Sequence, residues 1–133
     1  MAGEVKTYDS MDVTTIVDGV FLTGYGEDLV TVAKDEEQYT TAVGAQGDVI
    51  RNKVNNPLGT ITVTLQRTSP QVPYLDGLAN SGKLVPVSVM FSGTPKETNV
   101  ATQAYLKKPA DREYGSEAGD KSYEFQCLDL SMN

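Results

Sequence analysis

The stretch Gly59–Gly82, GTITVTLQRTSPQVPYLDGLANSG, holds the clearest strand and the clearest helix in the chain, and the other segments are read against it. From Thr60 to Gln66 the side chains alternate strictly, with Ile61, Val63 and Leu65 on one face and Thr60, Thr62, Thr64 and Gln66 on the other. That is the signature of a half-buried strand built from β-branched residues. The strand ends at Thr68. Ser69 offers a helix cap, Pro70 suits the first helical position, and Pro73 still falls within the first turn. Val72, Leu75, Leu78 and Ala79 then recur at three- and four-residue spacing and form one apolar stripe. Gly82 closes the helix, and Lys83 lies where its charge favours the carbonyl end. A strand running into a short amphipathic helix predicts a small β domain with one helix, about residues 70–82, packed against its sheet or its open end.

N-terminal of this unit, residues 1–10 show little periodicity and read as an arm that orders only when something holds it. The segment from Met11, MDVTTIVDGVFLTG, predicts two short strands around the hairpin dipeptide Asp18-Gly19, with a second turn at Gly24-Tyr25-Gly26. Asp28–Lys34 alternates again and ends in the acidic run Asp35-Glu36-Glu37, after which Gln38–Val43 resumes a strand. Residues 44–58 form a polar connection whose apolar members are Val49, Ile50 and Val54. Two readings of it stand side by side. It holds a strand that the period count misses, or it is a long loop or hairpin arm, bent at Gln46-Gly47, that leaves its own domain and packs those three residues on a neighbouring copy.

C-terminal of the helix, Lys83–Ser92 predicts a strand that Pro86 places at a sheet edge, or at least deprives of one ladder bond near its start. Glu97–Leu106 reads as a strand of mixed polarity on both faces, and 107–121 as a charged surface loop broken by Pro109, Gly115 and Gly119. In the last strand, Ser122–Leu130, Tyr123, Phe125 and Cys127 alternate with Glu124 and Gln126 before the phase changes at Leu128. Such a change predicts a bulge or burial on both faces.

Composition bounds the function. The 133 residues, 39% of them hydrophobic, suit one domain with a single core. No apolar run is long enough to cross a bilayer, and the N-terminus lacks the apolar core of a signal peptide, so the subunit is expected to stay where it is made, without membrane insertion. Net charge is −7, from 18 acidic and 11 basic residues, and Lys107-Lys108 is the sole adjacent basic pair. Specific nucleic-acid binding is not expected of such a surface. There is no histidine, and Cys127 is the single cysteine, which removes the commonest general base and any thiolate zinc site. Cys127, between Gln126 and Leu128, reads as a packed thiol. The carboxylates at Asp35-Glu36-Glu37 and at Asp111 with Glu113 lie in turn-like segments and lack the offsets of a calcium loop. The GYGED segment lacks the helix and lysine of a phosphate cradle. No catalytic residue, metal ligand or cofactor is predicted, and an enzyme is not expected.

Three motifs carry a family resemblance: T-x-x-V-G-A-Q-G-D-V-I-R over Thr40–Arg51, G-T-I-T-V-T-L-Q-R-T-S-P over Gly59–Pro70 with its short helix, and Tyr8-Asp9-Ser10-Met11-Asp12-Val13 ahead of the first strand. With these the chain resembles the tail tube proteins of contractile phage tails and of tailocin-type bacteriocins, from about Tyr8 to Leu130. The resemblance implies a mainly β fold, an antiparallel β-sandwich or partly open barrel with one short flanking helix, in a single domain. It implies six copies in a ring, rings stacked into a hollow tube inside a contractile sheath, and a conduit for DNA or ions. Its partners would be further copies of itself and the sheath, baseplate and tape-measure proteins. Tyr8, Met11, Val49, Ile50, Val54 and Asn55 would then touch other copies. Thr31, Thr40, Thr60, Thr62, Thr64 and Gln66 would face the lumen. The subunit would be found in the host bacterial cytoplasm during assembly, then in a virion tail or a released tailocin. Two alternatives stay open. One is a head–tail connector or tail-completion ring protein. The other is a soluble β-sandwich binding module with Tyr25, Tyr39, Tyr105 and Tyr114 as contacts, although the absence of tryptophan weakens a carbohydrate site.

Overall fold

The computed structural model describes residues 5–133, so the first four residues of the expected N-terminal arm lie outside the described residues. Strand β6, Gly59–Leu65, lies inside the sheet, and its burial alternates without a break: Ile61, Val63 and Leu65 are fully buried while Thr60, Thr62 and Thr64 are half-buried. On one side β6 pairs with β3, Tyr25–Lys34, and on the other with β9, Lys121–Cys127, both antiparallel. The remaining strands are β1 (Val13–Val17), β2 (Val20–Phe21), β4 (Tyr39–Val43), β5 (Val49–Lys53), β7 (Val85–Phe91), β8 (Glu97–Leu106) and β10 (Ser131–Met132). The large sheet runs β2-β1-β7-β8-β9-β6-β3, with β10 also on β8, and does not close on itself. Strands β4 and β5 form a separate two-stranded sheet. Among the described residues the fold is therefore mainly antiparallel β with one α-helix, and it is not a closed barrel.

Helix α1, Val72–Ser81, crosses the inner face and buries Leu75, with Val72, Leu78 and Ala79 packed beside it. Its start is two residues later than the sequence suggests. Gln71, not Ser69, is the N-cap; the Ser69 hydroxyl donates to the Thr23 carbonyl at 2.6 Å and accepts from the Gln71 amide at 3.4 Å, one turn ahead of the helix. Pro73 sits in the first turn, where no amide hydrogen is needed, and Gly82 ends the helix at φ 67°. The core between helix and sheet is dominated by Tyr123, Phe125, Ile61, Leu65 and Leu75, all fully buried. Burial of each such side chain stabilises by about 1.5–3 kcal/mol. The hydroxyl of Tyr123 donates to Asp76 of the helix at 3.0 Å, which ties α1 to β9.

The β1–β2 hairpin turns on Asp18 and Gly19, both at positive φ (49° and 80°), the two-residue turn that suits the twist of paired strands. Pro86 is not at an edge. Strand β7 lies between β1 and β8, and the proline is accommodated because the β7–β8 register shifts between Val85 and Val87. The extra residue of that shift lies on β8, so the buried set passes from Asn99 and Ala101 to Ala104 and Leu106, leaving Thr102 and Gln103 exposed. This bulge is why both faces of β8 read as mixed. The phase change at Leu128 lies beside it: Leu128 donates to the Gln103 carbonyl at 2.9 Å, and the Asp129 carboxylate accepts from the backbone amides of Thr102 and Gln103, each at 3.0 Å, and from the Thr102 hydroxyl. Pro86, Thr102–Gln103 and Leu128–Asp129 thus bend three adjacent strands at one level, and the sheet curls there.

Candidate assembly surface

The β4–β5 hairpin projects from the end of β3 and is exposed along every residue of both strands. Residues 44–58 hold its turn, its second leg and the return to β6, while the strand expected over Gln38–Val43 pairs with Val49–Lys53 rather than joining the large sheet. Cross-strand register sends Tyr39, Thr41, Val43, Val49, Arg51 and Lys53 to one face and Thr40, Ala42, Ile50 and Asn52 to the other. Val49 and Ile50, 66% and 62% exposed, therefore serve opposite faces of the arm. Val54 is half-buried at the base, where its amide donates to the Gln38 carbonyl, and Asn55 is exposed beside it. Tyr8 and Met11, 70% and 84% exposed, lie elsewhere. Met11 lines a cavity with Gly24 and Tyr25 at the start of β3, whereas the hairpin leaves from Lys34 at the other end. The expected contact residues accordingly form two groups separated by the length of one strand.

The outward face of β3, β6, β9 and β8 is polar. Register brings Thr31, Thr62 and Glu124 into one row, Ala33, Thr60, Gln126 and Tyr105 into the next, and Thr64 beside Ser122. Of the residues expected on a lumen face, Thr31, Thr60, Thr62 and Thr64 share this surface. Gln66 follows the strand end, exposed, and Thr40 is on the projecting hairpin and separate from them. The charges on the face have polar partners. Lys107 meets Glu124 at 3.1 Å, and Asp35 accepts from the Thr60 hydroxyl at 2.7 Å and from the Gln126 side chain at 2.9 Å. The hydrogen bonds from Gln126 and Thr60 hold the Asp35 carboxyl below the usual carboxylate range. Glu124 and Gln126 were legible as polar partners from their alternation with Tyr123, Phe125 and Cys127. The link from Gln126 to Asp35 was not, because it joins positions 91 residues apart.

Along the open side of the sheet, between β3 and β1, runs a seam. Strand β3 bulges away from β6 between Tyr25 and Val30. A cavity of about 520 Å³ follows this bulge and includes Tyr8, Val13, Glu27, Asp28 and Val30. A second, of about 340 Å³, continues past Val32, Val89, Phe91 and Glu97. Tyr8 packs on Phe91 with ring centroids 5.6 Å apart.

A further cavity of about 510 Å³ lies under the 107–120 loop, with Arg67, Lys108 and Lys121 set among Asp111, Glu113, Asp120 and Glu124. Each of its bases is engaged: Arg67 donates to the Glu113 carbonyl, Lys108 pairs with Asp111, and Lys121 donates to the Asp111 carbonyl. It is a loop anchor, with no free cation to receive an anion. Among the described residues no acidic, histidine or cysteine cluster could hold a metal ion. Cys127 is fully buried, and burial pushes its thiol up to about 11.

A polar face, an open seam and an exposed hairpin mark the surface of this chain, and solved structures share its fold. The sheath/tube terminator of the PVC extracellular contractile injection system in its extended state aligns with 98% of this chain and 99% of its own at 10% identity and a TM-score of 0.71. The anti-feeding prophage cap, a tube-terminating cap, aligns over 100% and 95% at 7% identity and 0.69. The PVC sheath–tube complex in its extended state aligns over 96% and 91% at 10% identity and 0.63. At such identities the likeness is one of fold. No curated protein matches the chain. The profile of the family described as Bacteriophage PhiTE tail tube protein matches residues 5–133, and the chain belongs to that family. It is a tail structural protein.

Proposed function

We propose that six copies of this chain form a ring and that rings stack into the hollow inner tube of a contractile phage tail or tailocin. The family match across residues 5–133 carries this reading. The exposed hairpin supports it, because Val43, Val49 and Ile50 remain 70%, 66% and 62% exposed on it. In the ring the polar face of β3, β6, β9 and β8 lines the bore. Its hydroxyls, amides and paired charges offer no basic surface to phosphate, so DNA slides through without adhering, and ions pass equally. Sheath protein outside, tape-measure protein within and baseplate at the end are the partners. Assembly takes place in the host cytoplasm, and the product is a virion tail or a released particle.

A second reading has one specific observation in its favour: the terminator and cap superpose on this fold somewhat better than the sheath–tube complex. In that reading the chain forms a single ring that ends the tube. Electron microscopy of concentrated protein separates the two, since stacked tubes support the first and isolated rings the second. Ile50→Asp tests the shared premise of self-association. The folded monomer is expected to keep its circular dichroism and melting temperature and to lose assembly; normal assembly by this variant would count against the hairpin's role.

A further inference from the structure

The two faces of the hairpin differ in chemistry. The face with Tyr39, Val43 and Val49 also carries Arg51 and Lys53. Between Tyr39 and Lys53 the charged residues are one acid, Asp48, and two bases, so the arm is +1 on a chain of net −7. Arg51 lies 4.3 Å over the Tyr39 ring, which keeps the guanidinium on this face. The opposite face, with Thr40, Ala42, Ile50 and Asn52, has no charge.

The seam between β3 and β1 has the complementary character. Its two cavities adjoin through Tyr8, Val13 and Val30; Val32, Val89 and Phe91 continue the apolar lining in the second, while Thr31, Thr62 and Thr64 give the first a polar wall at the margin of the outward face. Every charged residue in that lining is acidic: Glu27 and Asp28 on the bulge of β3, and Glu97 at the start of β8. One edge of β3 is also unpaired within the large sheet and so is available to an added strand. A chain's own hairpin does not fill its seam, because both legs are exposed throughout.

We propose, building on the reading that copies of this chain self-associate, that the seam receives the hairpin of a second copy. Val43 and Val49 enter the apolar floor beside the β3 edge, and Arg51 and Lys53 face Glu27, Asp28 and Glu97. Ile50 is turned away from this contact and serves a different neighbour or layer. The charges lie at the rim, so their role is to steer the encounter and fix register, and salt screens them.

Charge reversal tests the pairing. Arg51→Glu with Lys53→Glu reverses the hairpin; Glu27→Lys, Asp28→Lys and Glu97→Lys reverse the seam. All five side chains are exposed, so each variant is expected to melt as the parent does. By sedimentation velocity at low salt, either reversal alone should raise the critical concentration for assembly on the order of tenfold or more. Both reversals in one chain should return it to within a few-fold of the parent. Parent assembly should weaken in about 0.5 M salt, where the screening length falls to a few ångströms. Parent-like assembly by either single reversal, or failure of the combined variant to recover while its monomer stays folded, overturns the pairing and leaves the self-association reading intact. Failure of the parent itself to assemble overturns both.

Discussion

Asp129 shows how much a single exposed side chain organises here. Its carboxylate holds two backbone amides and the Thr102 hydroxyl where the β8 bulge meets the kink between β9 and β10. The Thr102 hydroxyl, followed by the Gln103 and Thr102 amides, holds its carboxyl below the usual carboxylate range. A depressed folded value means stability that is present above pH 3.8 and lost as pH falls through the folded titration. Asp35 adds to the same acid limb with the same sign. Asp129→Ala should cost about 1 kcal/mol at neutral pH, the modest figure reflecting solvent exposure, and should flatten the stability loss below about pH 4 in acid titrations followed by circular dichroism. An acid limb unchanged from the parent would contradict this role. Gly59 is constrained by closeness: a Cβ there would overlap Leu130 Cδ2 and stand 2.8 Å from Leu130 Cβ and 3.1 Å from the Ala33 carbonyl. Gly59→Ala should therefore destabilise by about 1–3 kcal/mol in thermal unfolding. Cys127 titrates in the other direction. With its folded value raised from 9.0 to about 11, the neutral thiol contributes stability below pH 9 that is lost as pH rises through 11. A thiol reagent at pH 8 should accordingly react in denaturant and scarcely at all in the native protein.

Elements differ in how far their sequences disclose them. β6 and α1 were legible because each pattern is local and one face of each is buried: two-residue alternation in Ile61, Val63 and Leu65, then helical spacing in Leu75, Leu78 and Ala79. The hairpin was only half legible. Both its faces meet solvent in the isolated chain, so Val49–Lys53, VIRNK, shows no contrast of polarity for a period to reveal. Pro86 misled in the direction of an edge because the bulge that accommodates it belongs to β8, a different strand. The split of Val49 and Ile50 to opposite faces follows from pairing register, which the turn sets. Because the hairpin makes no core contact, replacing Val43–Val49 by a two-residue Asn-Gly turn should leave the melting temperature within about 2 °C of the parent, consistent with surface changes of about ±0.5 kcal/mol. The same change should abolish assembly. A large fall in melting temperature would show that the arm supports its own domain.

For the molecule as a whole, the curled sheet leaves three things unfinished: the β3 edge, the seam beside it, and the hairpin. A sheet edge with apolar residues beside it is an aggregation hazard unless something covers it, and the proposed ring of identical copies would cover it in every subunit. The polar outer face answers the same logic, since a core-facing role would leave Thr31, Thr62 and Glu124 without water. Membership of the tail tube family and these open surfaces are what the proposed ring requires, a subunit completed by its neighbours. Cryo-electron microscopy of the purified full chain at high concentration tests that most directly. Hollow assemblies of six-fold symmetry are expected, with the hairpin between copies and the threonine-rich face toward the bore. A protein that stays monomeric at all concentrations and ionic strengths, even with its tail's baseplate present, would contradict it.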